Sequence, residues 1–202
     1  MPFILPSSQT EHHTTFHILR AVTAHVGTTT VAKKMAQKLA TQKQKVLLFD
    51  AALGLKNFPT TTKNSDTSSL VFQGKRPLND LITTHDGIDI IAGIAQQNLN
   101  ALPQSLQKKI RDDLKTLSNT YDHVIIDCPA FITQLIFQDL GQNLWISTPD
   151  KKILLDTLKE IHQNSTNSQL VLTHIKTPQQ QNELHVFIKS LVNECKIVDF
   201  FE

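Results

Sequence analysis

The chain has 202 residues, 40% of them apolar and 19% charged, which is the balance of one ordinary soluble domain, and no run approaches the roughly 20 apolar residues a membrane-spanning helix needs. Twenty Lys and Arg against eighteen Asp and Glu leave a net charge of +2, which makes no electrostatic case for nucleic acid or an anionic membrane as partner. Two cysteines, Cys128 and Cys195, are too few for a disulfide framework, and no charged-then-apolar leader opens the chain, so the expected compartment is the cytoplasm.

Residues 1–15, "MPFILPSSQTEHHTT", read as a flexible arm and residues 16–202 as a single domain. Apolar strand-like runs then alternate with helix-period segments. A strand over 16–23 precedes a helix over 29–42, and a strand over 45–50 precedes irregular chain with a short helix near 78–84. A strand over 88–93 precedes a helix over 103–119, and strands over 123–128 and 143–148 follow, with a helix near 150–162. The chain ends with a strand over 168–174, a helix near 181–194 and a last strand over 196–201, expected at a sheet edge. Strands made almost wholly of Val, Ile and Leu suit a sheet buried on both faces, and helices between them supply the crossovers. The expected class is α/β, a doubly wound, mostly parallel sheet flanked by helices. Residues 56–77, Thr- and Ser-rich and bracketed by prolines, read as a mobile surface loop.

In such sheets ligands lie at the carboxyl ends of the strands. Three strand ends there carry chemistry. "TAHVGTTT" (23–30) joins the first strand to the first helix in the layout of a phosphate-binding loop, where backbone N–H groups and a helix N-terminus hold phosphates. The second strand ends in Asp50 and a later one, "YDHVIIDCPA" (121–130), in Asp127. Two carboxylates at strand mouths beside such a loop are placed to hold Mg²⁺ and its waters. The alternative reading leaves Thr28 and Thr29 as helix N-caps and both aspartates as caps or loop acceptors.

These segments, in this order, resemble the ParA/MinD family of deviant Walker A P-loop ATPases, over roughly residues 17–175. "VLLFDAALGLKN" (46–57) is similar to MinD-like regulators of flagellar number, and "LWISTPDKKILLDTLKEI" (144–161) resembles the family's strand, Thr-Pro-acid turn and next helix. The resemblance implies ATP or ADP with Mg as cofactor, Gly27, Thr28, Thr29, Thr30, Asp50 and Asp127 as nucleotide-binding residues, and Thr29, Asp50 and Asp127 as metal ligands. It also implies a protein partner and a homodimer.

The departures are concentrated on charge. Laid on the family loop, the signature lysine falls on Thr23, two glycines fall on Ala24 and His25, and the phosphate-binding lysine falls on Thr28. The aspartate that orients the attacking water falls on Ala52, and the adenine-reading asparagine on Thr173. "VGTTTVA" (26–32) is similar to the threonine-type loop of TadZ-type members. Loss of the lysine removes the main protein counter-ion of the β- and γ-phosphates, and Ala and His resist the positive φ that glycine accepts. No residue is assigned a catalytic role. The expectation is a pseudo-ATPase, a non-hydrolysing regulator, positioning or assembly factor of flagellar, division or secretion machinery with nucleotide binding weak or lost. Its alternatives are an ATP-binding switch that dimerises when loaded, and a ParA-like nucleic-acid-binding factor using Lys33, Lys34, Lys38, Lys43 and Lys45. Glu11, His12, His13 and His17 lack regular ligand spacing and read as a solvated arm rather than a metal site, His25 as an exposed loop residue, and Cys128 as an inert buried thiol.

Overall fold

The computed structural model describes residues 13–51, 70–71, 73–91, 103–128, 137, 139–163, 167–192 and 196–201. Among the described residues, eight strands form one sheet in the order β3-β4-β2-β5-β1-β6-β7-β8. They are β1 Thr15–Arg20, β2 Val46–Asp50, β3 Ile82–His85, β4 Ile88–Ile91, β5 His123–Asp127, β6 Gln142–Ser147, β7 Ser168–Thr173 and β8 Lys196–Phe201. Among the described residues the connecting helices are α1 Thr28–Thr41, α2 Gln104–Ser118, α3 Lys151–Gln163 and α4 Pro178–Leu191. Every pairing is parallel except β3 with β4, so the doubly wound expectation holds, with β8 at an edge.

Side-chain alternation along the strands sends neighbours to opposite layers. In β1, Ile18 joins Leu47, Phe49 and Ile126 under Ile110 and Leu114 of α2, while Leu19 joins Leu48, Ile125 and Ile146 under Val31, Ala32 and Ala36 of α1. Trp145, Leu170 and Leu172 pack with Leu154, Leu158 and Ile161 of α3 and Ile188 of α4. The central strands are thus buried on both faces, which is why they read as unbroken apolar runs.

Three expectations are corrected. The short helix near 78–84 is a 3-10 turn, Leu78–Leu81, that leads straight into β3, the antiparallel arm of a hairpin with β4. Asp86 (φ 50°) and Gly87 (φ 75°) make its two-residue connection, and positive φ at both positions matches a type I′ turn. The last helix starts at Pro178, not 181, because Thr177 caps it by accepting from the Gln180 N–H at 3.1 Å and proline suits the first helical position. At the front, Thr15 already lies in β1, and the Thr14 hydroxyl donates to the carbonyls of Ser118 and Tyr121. Of the 56–77 stretch, Val71 is buried in the core, and residues 56–69 and 72 lie outside the described residues.

Candidate functional site

β1 lies between β5 and β6. Strands 2 to 4 lie on one side of it, beyond β5, and strands 6 to 8 on the other, so the chain reverses direction there and opens a crevice at the strand ends. The loop from β1 to α1 runs across it. Gly27, at φ 92°, is the N-cap of α1, and no side chain caps that helix, so the reading of Thr28 and Thr29 as caps does not hold. A Cβ at Gly27 would need a left-handed backbone that L side chains rarely adopt. His25 takes φ 63° despite its side chain and is exposed, so its bulk does not prevent the loop from turning. The first turn of α1 carries no acidic residue, which leaves the positive end of its dipole uncompensated from within the helix.

Thr29 is instead engaged with β5. Its hydroxyl donates to Asp127 Oδ2 at 2.6 Å. Asp50 stands beside Asp127, the two being register partners at the ends of adjacent parallel strands, and Asp50 is fully buried. Burial pushes the Asp127 carboxyl up from 3.8 to about 6, against the Thr29 hydrogen bond and the positive charge of Lys33, which both pull it down. A hydroxyl on one carboxylate, with a second carboxylate at the paired position of the adjacent strand, offers hard oxygen donors of the kind that fit Mg²⁺, which takes one or two carboxylates and completes its shell with phosphate and water. Of the six expected residues, Thr29 and Asp127 are joined by a hydrogen bond, Asp50 is the register partner of Asp127 on the adjacent strand, Gly27 shapes the loop, Thr28 is half-buried and Thr30 exposed. Ala52 lies outside the described residues.

Thr173, on the expected base-reading position, is buried and its hydroxyl is spent on main chain. It lies 2.6 Å from the Val26 carbonyl and 3.1 Å from the Ser147 carbonyl, and 3.0 Å from His174 Nδ1. The end of β7 is thereby tied to the phosphate-type loop. Sequence spacing gave no sign of this contact, which joins residues 147 apart in the chain.

Other polar groups are buried along β1. Arg20 closes β1, 6% exposed, with its guanidinium 5.8 Å from the Trp145 ring centroid and Nε and Nη2 without hydrogen-bond partners. His17, buried where the arm reading had placed it in solvent, has Nε2 3.1 Å from His123 Nδ1; burial, with the His123 charge, depresses it to about 4. Among the described residues no three His, Cys, Asp or Glu cluster as a metal site, and no helix is long and apolar enough to cross a membrane. Cys128 is buried, as expected.

A family model described as an AAA domain matches residues 23–146. A septum site-determining protein MinD from Emiliania huxleyi is 29% identical over 147 residues, 67% of this chain and 53% of that protein, so the chain spans about half the length of this relative. Among solved structures, MinD in the MinC:MinD complex of Aquifex aeolicus superposes with a TM-score of 0.70 at 17% identity, covering 93% of this chain and 80% of that one. A plasmid partition protein of Borrelia burgdorferi B31 bound to AMPPNP gives 0.71 at 15% identity, covering 94% and 85%.

Proposed function

The chain belongs to the ParA/MinD-type family of P-loop ATPases, and from that premise we propose that it is a non-hydrolysing regulator that keeps a phosphate seat and acts through protein contacts. The carrying observation is that the loop, the helix N-terminus and the Thr29–Asp127 hydrogen bond are all formed while Thr23 and Thr28 stand where the family's lysines belong. The amides opening α1 would receive phosphate oxygens. Thr29, Asp50 and Asp127 would hold Mg²⁺, which supplies charge neutralisation to the β- and γ-phosphates. Nothing at position 28 brings a cation onto the transferring group, so the seat favours occupancy over turnover. A partner protein reads that occupancy, in keeping with the complex of MinD with MinC in Aquifex.

The second reading is a switch that dimerises on nucleotide, supported by the same hydrogen bond and by the AMPPNP found in the Borrelia relative. Calorimetry with Mg-ATP, followed by chromatography of the same sample, tests both. Heat of binding with ATP recovered intact, and a size-exclusion elution volume unchanged by nucleotide, is the expected result. Saturable conversion to ADP overturns the non-hydrolysing reading, and a nucleotide-dependent doubling of mass moves the account to the switch.

A further inference from the structure

We propose that Arg20 anchors a second ligand site, on the face of the sheet opposite α1, that takes a small monocarboxylate side-on against its guanidinium. Arg20 is the last residue of β1, the strand at which the sheet order reverses, and ligands of such sheets enter beyond the carboxyl ends of the strands at that point. Two residues after Ile18, it falls on the face that α2 and α3 cover. There it is the register partner of Trp145 on β6. On its other side Cys128, just past β5, donates its N–H to the Leu19 carbonyl.

The guanidinium selects the ligand. Arg20 is 6% exposed, and its Nε and Nη2 have no hydrogen-bond partner. Among the described residues no carboxylate pairs with it. A buried charge without a partner costs stability, so its presence at the crevice has a reason outside folding. Nε and Nη2 share one edge of the guanidinium plane, the edge that meets both oxygens of a carboxylate in two parallel hydrogen bonds. The Trp145 ring, with its centroid 5.8 Å from Cζ, lies against the same group. One negative charge neutralises one guanidinium, whereas a phosphate dianion would leave excess charge in a buried place beside Cys128, which directly follows Asp127. Burial also limits size: a small ion reaches a guanidinium this enclosed, and the acidic side chain of a folded partner does not.

Trp145 is the chain's only tryptophan, so its emission reports the site without a label. The 202-residue chain, free of nucleotide, is titrated with sodium acetate and separately with sodium butyrate, against sodium chloride at matched ionic strength. The wild type is expected to give a saturable change in emission, half-complete at about millimolar carboxylate, the range that two charge-assisted hydrogen bonds to a small ion support. Inorganic phosphate is expected to bind at least about tenfold more weakly. Arg20→Met is expected to lose the response, and Arg20→Lys, which keeps the charge without the fork, to weaken it at least about tenfold. No saturable response to either carboxylate, an undiminished response in folded Arg20→Met, or tighter binding of phosphate than of acetate overturns the proposal. Circular dichroism establishes folding, and if Arg20→Met does not fold, Arg20→Gln is titrated in its place with the same outcomes. Because no nucleotide is present, failure here leaves the phosphate-seat reading standing.

Discussion

Replacing Asp127 with Asn should make the free protein more stable at neutral pH. The carboxyl is 2% exposed, and burial outweighs the Thr29 hydrogen bond and the Lys33 charge, raising it from 3.8 to about 6. For an acid whose folded pKa is raised, the folded state favours the protonated form. Stability from this group is therefore largest below pH 3.8, falls as pH rises, and is fully lost above about 6. A rise of that size corresponds to about 3 kcal/mol at about 1.4 kcal/mol per tenfold change. Asparagine carries no charge yet still offers Thr29 an acceptor oxygen, so Asp127→Asn avoids most of the penalty. Urea unfolding followed by circular dichroism should show the variant about 2–3 kcal/mol more stable at pH 7.5, with the gap closing by pH 4. A variant less stable than wild type at pH 7.5, or a gap that does not narrow in acid, would refute the reasoning. The stability gained would come at the expense of the metal-type seat, which is the pattern of a carboxylate kept for its function.

Three further outcomes follow from the same geometry. Arg20→Met should be neutral or stabilising by up to about 2 kcal/mol in chemical denaturation, because a desolvated guanidinium with two partnerless nitrogens is exchanged for an apolar chain against Trp145, and a loss above about 1 kcal/mol would count against this. Thr173→Val should cost about 1–3 kcal/mol by leaving the buried Val26 carbonyl without its hydroxyl donor, and hydrogen exchange should speed up selectively at residues 23–28. His17 is a base depressed from 6.5 to about 4, so its stabilising effect is complete above pH 6.5 and is lost as pH falls through about 4. His17→Gln should flatten the fall in stability over that window, and an acid-unfolding profile that superimposes on wild type would contradict the assignment.

Much of the fold was legible because its determinants are local. The apolar strands, Gly27 after β1 and the aspartates at two strand ends are read directly from spacing, and strands buried on both faces give the strongest apolar runs. The β3–β4 hairpin was missed although Asp86-Gly87, between "ITTH" and "IDII", carries the dipeptide that a type I′ turn requires. Thr177-Pro178 likewise signalled the start of α4. The finer structure of the site depends on register across strands. That Thr173 reaches Val26, that Arg20 lies over Trp145 and that His17 meets His123 all follow from which strand lies beside which, and sequence periodicity does not fix that order.

The central claim, a phosphate seat without turnover, is tested most directly by phosphorus NMR of Mg-ATP incubated with the purified chain. The account predicts ATP resonances broadened by exchange with the protein and no growth of inorganic phosphate or ADP signals over a day. Inorganic phosphate accumulating in proportion to protein concentration, or ATP lines identical to those of a protein-free sample, would contradict it.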